Sequence, residues 1–251
     1  MTTDQDNRII RFPLGSTAAP EVLFSDIDRG SVHNGGRIAF GPDGMLYAST
    51  GDAFESSQSQ DPTSNNGKIL RLTPDGDPAP GNPTAGSPVY SMSHRNVQGL
   101  AWDDQGQLFA AEFGQEELDE VNAIEAGGNY GWPVVEGSGD TQDGRFNNPI
   151  TTWSPSEASL SGIAIAGDTA YVAALRDSGC GRFPSTATEP ANPARTSRNS
   201  TAGSVPCRSP PTEHSGSPPP TPTTTSHAGT GTTACSVSRR DDRATHSVQA
   251  D

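Results

Sequence analysis

A hairpin-sized pattern recurs along this chain with a period near 60 residues, and that recurrence constrains the fold most. GRIAFGPDGMLYASTGD (36–52) aligns with QGLAWDDQGQLFAAEFG (98–114), and SGIAIAGDTAYVAALR (161–176) is a third copy. Ile38, Leu100 and Ile163 correspond at intervals of 62 and 63, and Phe40, Trp102 and Ile165 follow at the same intervals. Turn residues, Pro42-Asp43-Gly44 or Asp103 to Gly106, separate two short apolar runs, so each copy reads as a β-hairpin. A second pattern repeats alongside it: NRIIRFPLG (7–15) resembles GKILRLTPDG (67–76), displaced by 60.

The apolar runs are short, and none keeps a 3.6-residue period over a helical length. Strands are expected at Arg8–Phe12, Arg37–Phe40, Leu46–Thr50, Lys68–Leu72, Gly99–Trp102, Gln107–Ala111, Gly162–Ile165 and Thr169–Leu175. A period near 60 that contains hairpins suits a β-propeller blade of four strands with its loops. The rival is a β-sandwich with accidental self-similarity; three copies in one register favour the propeller. The repeats span slightly under three periods, whereas propellers usually close with four to eight blades. The expected fold class is therefore all-β: a partial propeller of about three blades.

Composition matters where the pattern stops. Residues 1–176 hold 9 Lys+Arg and 24 Asp+Glu, net -15, whereas residues 177–251 hold 7 and 6, net +1. The last 75 residues contain no Leu, Ile, Met, Trp or Tyr, but 25 Ser+Thr and 10 Pro. Such a stretch buries too little apolar surface to offset its ordering entropy. Two domains are expected: a β body over 1–176 and a disordered Ser/Thr/Pro-rich tail over 177–251. The change falls inside a strand-like unit, which suggests a shifted reading frame. Cys180, Cys207 and Cys235 all lie in that tail without metal-ligand spacing. The acidic body lacks the basic stripe of a nucleic-acid binder. No run approaches the roughly 18 apolar residues of a membrane span. The start, MTTDQDNRII, does not read as a signal peptide.

Several segments resemble the soluble quinoprotein glucose/sorbosone dehydrogenases, the aldose sugar dehydrogenase family. They are HNGGRIAFGPDGMLYASTGD (33–52), NNGKILRLTPDG (65–76), YSMSHRNVQGLAWD (90–103), AEFGQEELDEVNAIEAGGNYGWP (111–133) and SPSEASLSG (154–162). Single repeats are generic to propellers; the ordered set HNGGR, HRNxQG and DExN…GGNYGWP is specific. The resemblance covers about residues 7–176. It implies a six-bladed propeller that binds pyrroloquinoline quinone (PQQ) and Ca2+ and oxidises an aldose at C1 to the lactone. It also implies an external electron acceptor and a periplasmic or secreted location. About half of such a domain is matched, so the chain is expected to be a fragment with weak or no activity. A noncatalytic propeller module that binds glycan or protein is the alternative; neither the sugar nor the oligomeric state is legible.

The site residues follow from that resemblance. His33 resembles the general base, since a neutral imidazole suits removal of a hydroxyl proton near pH 7. Asp52, at the end of the same hairpin, corresponds to the carboxylate that orients it. Arg95, Asn96 and Gln98 correspond to the PQQ-binding segment, where a guanidinium suits a planar tricarboxylate quinone. Ser93 and Val97 depart from the family's usual Gly and Pro. Gly114 and Gln115 align with the main-chain carbonyls offered to calcium, a hard cation that accepts them. Arg176 falls where relatives place a basic residue facing the cofactor. The Asp119–Pro133 segment resembles a blade-joining or structural element, with a second calcium site as the alternative reading, and its aromatic pair is expected to pack.

Overall fold

The computed structural model describes residues 1–15 and 17–175, with strand placement also for Gly181–Pro184. The strands run in chain order as antiparallel meanders. β1 (Asp6–Arg11) pairs with β2 (Glu21–Asp28). β3 (Ile38–Phe40), β4 (Leu46–Ser49), β5 (Lys68–Leu72) and β6 (Val89–Met92) form a four-stranded sheet. β7 (Val97–Trp102), β8 (Leu108–Glu112), β9 (Asp119–Ile124) and β10 (Thr151–Trp153) form another. β11 (Leu160–Ala166), β12 (Thr169–Ala174) and β13 (Gly181–Pro184) form a third, three-stranded sheet. One four-residue helix, α1 (Ser57–Gln60), lies between β4 and β5.

The three repeat copies are the inner hairpins β3–β4, β7–β8 and β11–β12. The second repeat places β1 in correspondence with β5, the third strand of its sheet. β1–β2 thus matches the outer half of a blade. The fold is all-β, a partial propeller of about three blades. Arg176 and most of the 177–251 tail lie outside the described residues.

An antiparallel sheet with one wet face alternates buried and exposed residues. Here every residue of β4 and β8 is buried, because neighbouring sheets cover both faces. Leu46, Ala48, Leu70 and Leu72 pack towards β1–β2 with Ile9 and Ile27. Tyr47 and Ile69 face the other way, joining Val97, Leu100, Leu108, Ala110 and Ile124. Ala111 and Val121 then meet Leu160 and Val172 of the next sheet. Side-chain alternation along each strand thus glues successive blades face to face.

Meander topology brings the β2–β3, β4–β5, β6–β7 and β8–β9 connections to one end of the sheets. The β9–β10 connection leaves from the opposite end but returns. Gly127 N–H donates to Tyr90 O (2.7 Å), Met92 N–H to Gly128 O (3.0 Å) and Tyr130 N–H to Met92 O (3.1 Å). Residues 127–132 thus run along β6 and reach the β6–β7 loop, where Trp132 N–H donates to Ser93 O at 3.2 Å.

Candidate active site at the loop end of two blades

His33 lies in the β2–β3 connection in a left-handed backbone conformation, φ 54°. That conformation is uncommon outside Gly and marks locally stored strain. Its carbonyl accepts Ala53 N–H at 3.0 Å, which ties the loop to the end of β4. The close approach requires glycine at 51, because a Cβ there would lie 1.9 Å from His33 O.

Asp52 is buried and holds three donors. Its Oδ1 faces His33 Nδ1 at 2.9 Å and accepts Phe54 N–H at 2.9 Å. Its Oδ2 accepts the indole N–H of Trp132 at 2.9 Å. Arg95 Nη2 lies 2.9 Å from His33 Nε2. A guanidinium only donates, so Nε2 is the acceptor and the proton of the neutral ring sits on Nδ1, towards Asp52. The contacts therefore select one tautomer, with the Nε2 lone pair turned to Arg95.

Arg95 is half-buried, and burial lowers its pKa while Asp52, Glu136, Glu112 and Asp119 favour its charge. Nη1 donates to Gly114 O at 2.5 Å and Phe113 O at 3.2 Å, and the guanidinium lies 5.5 Å from the Trp132 ring centroid. Arg95 Nε is buried without a hydrogen-bond partner. Asn96 Oδ1 accepts Gly35 N–H at 3.1 Å and Gln98 Nε2–H at 2.9 Å. Gln98 therefore joins the cluster through Asn96. Gly114 meets it through Arg95, while Gln115 N–H turns away to Glu136 at 2.5 Å.

Sequence reasoning placed His33, Asp52, Arg95, Asn96, Gln98 and Gly114 in one neighbourhood, and the structure brings them together. It missed three participants. Trp132 does not simply pack; it bonds Asp52 and covers Arg95. Glu112, buried, sits under the loop: Oε1 accepts Arg95 N–H, and Asn96 N–H at 3.2 Å, while Oε2 holds His94 Nδ1 at 2.9 Å. Glu136 is the third. The detectable signals were the acid closing the second repeat hairpin and the NYGWP run itself.

Among the described residues, no group of three or more His, Cys, Asp or Glu is placed to hold a metal ion. Main-chain carbonyls such as Gly114 O are hard oxygen donors at this end, beside the carboxylates of Asp52, Glu112, Asp119 and Glu136. Burial and nearby Glu112 raise the pKa of Glu120. Within the described residues, no helix is long and apolar enough to cross a membrane.

Residues 2–178 match the family model described as glucose / sorbosone dehydrogenase. Among solved structures, the chain is similar to the PQQ-bound aldose sugar dehydrogenase of Streptomyces coelicolor. That match has 54% identity and TM-score 0.69, covering 73% of this chain and 56% of that one. Quinoprotein glucose dehydrogenase B of Acinetobacter calcoaceticus is 35% identical over 151 residues, covering 51% of this chain and 32% of the relative. Aldose sugar dehydrogenase YliI of Escherichia coli is 31% identical over 150 residues, covering 53% and 40%. The chain thus spans roughly a third to two fifths of these two relatives' length.

Proposed function

The chain belongs to the glucose/sorbosone dehydrogenase family, and from that premise we propose that its site serves PQQ- and Ca2+-dependent oxidation of an aldose at C1 to the lactone. The observation that carries this reading is the Asp52–His33–Arg95 array, which leaves a neutral imidazole with a basic Nε2 beside a guanidinium. Arg95 also has an unpaired buried Nε–H, so it has donor capacity left for an anionic ligand. Asn96 and Gln98 add neutral polar groups beside it. Gly114 and Gln115 carbonyls suit calcium in type. The residues present thus fit both groups.

In this reading His33 Nε2 takes the proton of the sugar C1 hydroxyl. Asp52 accepts the hydrogen bond from Nδ1–H, which fixes the ring and stabilises the imidazolium that forms. Trp132 steadies Asp52 from the other oxygen. Arg95 and the polar pair Asn96–Gln98 bind and orient the cofactor. When bound, the quinone supplies the two-electron acceptor for hydride from C1, polarised by calcium. Arg176, outside the described residues, is proposed as a further basic contact, and an external acceptor removes the electrons. We also propose the domain division at residue 176 and, from the family, a periplasmic or secreted setting.

About three blades enclose only part of a propeller channel, so the 251-residue chain is expected to turn over sugar weakly or not at all. PQQ binding in the presence of calcium, followed by fluorescence quenching of the site tryptophan, tests the reading directly. Saturable binding that Arg95→Ala weakens at least tenfold is expected. Binding that is absent, or indifferent to Arg95→Ala in a folded variant, refutes it.

A further inference from the structure

We propose that Glu136 is a positioning residue that turns the Gly114 and Gln115 carbonyls outward to receive the cation. This rests on the functional reading above. Four consecutive main-chain amides surround one Glu136 oxygen. Gln115 N–H donates to Oε1 at 2.5 Å, Glu116 and Glu117 N–H at 3.1 Å each, and Leu118 N–H at 3.3 Å. The β8–β9 loop therefore curls around a carboxylate, as a backbone nest curls around an anion.

Peptide planarity supplies the consequence. In a trans peptide the C=O points opposite to the following N–H. With the amides of 115 and 116 turned in to Glu136, the carbonyls of 114 and 115 turn out. Gly114 O meets Arg95 Nη1 at 2.5 Å, so outward here means towards the site cluster. The loop is tight. A Cβ on residue 114 would lie 1.9 Å from Leu118 O and 2.8 Å from Glu136 Oε1, so glycine is required. Asp119 Oδ1 anchors the near end by accepting Gly114 N–H at 2.9 Å. One half-buried carboxylate thus turns a pair of carbonyl oxygens outward from a loop flanked by acidic side chains, and carbonyls are hard donors of the type calcium accepts.

The test uses the full 251-residue chain, with Glu136→Gln and Glu136→Ala compared after circular dichroism confirms a folded β protein. Hydrogen exchange of amides 115–118 reads the loop without any ligand. Calcium titration by calorimetry, with PQQ present, reads the site. Expected are lost protection of those four amides in Glu136→Ala and calcium affinity reduced at least tenfold. Glu136→Gln, which keeps a neutral acceptor, falls between. Unchanged protection in Glu136→Ala overturns the proposal, and so does lost protection with unchanged calcium affinity. If the unsubstituted chain takes up no calcium, the functional reading and this one fall together; failure of this inference alone shows only in the variants.

Discussion

Lys68→Met tests whether a buried cation is held by main-chain carbonyls alone. Lys68 is fully buried, and its Nζ donates to Gln58 O (2.7 Å), Ser59 O (3.0 Å) and Asn66 O (2.7 Å). These carbonyls belong to α1 and the loop before β5, so the ammonium pins that excursion to the sheet. Burial pushes its pKa down from 10.5 to about 8, with Asp61 opposing. At about 1.4 kcal/mol per unit, burying the charge costs roughly 3 kcal/mol relative to the amine. Hydrogen bonds from a charged donor contribute about 1.5–3 kcal/mol each. Lys68→Met leaves three buried carbonyls without their donor, at about 1–3 kcal/mol each, which exceeds the relief from no longer burying the charge, so the substitution is expected to destabilise by about 2 kcal/mol at pH 7 in urea unfolding. The pH dependence carries a signature. Between pH 8 and 10 the unfolded chain keeps the Lys68 proton while the folded chain loses it. Stability of the unsubstituted protein therefore rises with pH across that window, by about 2 kcal/mol from this group. Above pH 10, Tyr47 and Tyr130, whose pKa values burial raises, pull the other way. The difference between the two proteins should widen from pH 8 to 10. Parallel profiles, or a Met variant as stable at pH 7, refute the reasoning.

Asp52→Asn presents an amide where His33, Phe54 and Trp132 all require an acceptor. Imidazole 15N shifts should then show His33 leaving the Nδ1–H tautomer, and an unchanged tautomer counts against the assigned contacts. Ser93 has φ 68°, so Ser93→Gly should stabilise by about 0.5–1 kcal/mol, read from the denaturant midpoint. Glu120 has its pKa raised by burial and by Glu112, so its contribution to stability is lost as pH rises from acid towards neutral. Glu120→Gln should therefore stabilise the protein at pH 7 by about 1 kcal/mol, with the gain vanishing near pH 4; an equal gain at both pH values refutes the assignment.

The fold was legible wherever strands sit in the repeated hairpin, because alternation and a tight turn are both local. β3–β4, β7–β8 and β11–β12 fall on the aligned copies. β2 is harder to read: half of it is exposed, and it carries charge at Glu21, Asp26 and Asp28. β10 has only three residues. His33, Asp52 and Arg95 were found through the family resemblance and lie in loops that the meander brings to one end. Trp132 was assigned to packing because its partner Asp52 is 80 residues away. That pairing depends on the 127–132 segment running back along β6, a non-local ladder that no periodicity announces. Glu136 escaped for a related reason: its ligands are main-chain amides, which every loop possesses.

Successive blades carry the same histidine–carboxylate device in different surroundings. His33 precedes the first strand of its sheet, and Asp52 follows the second; His94 precedes β7, and Glu112 ends β8. Each histidine presents Nδ1 to its acid at 2.9 Å. The difference lies at Nε2. In His94 it meets Ser91 Oγ at 2.8 Å, the ring stacks on Tyr130 at 4.9 Å, and the side chain is wholly buried. Every polar atom is satisfied internally, so this pair serves to brace the loop that carries Arg95 and Asn96. In His33, Nε2 meets the Arg95 guanidinium, and 15% of the side chain stays accessible. A histidine–carboxylate pair is thus a structural brace when both ring nitrogens are spent within the fold. It becomes available for proton transfer when the second nitrogen faces a group that a ligand can draw away. The local spacing, 19 residues in one pair and 18 in the other, does not distinguish the two settings; the residue opposite Nε2 does.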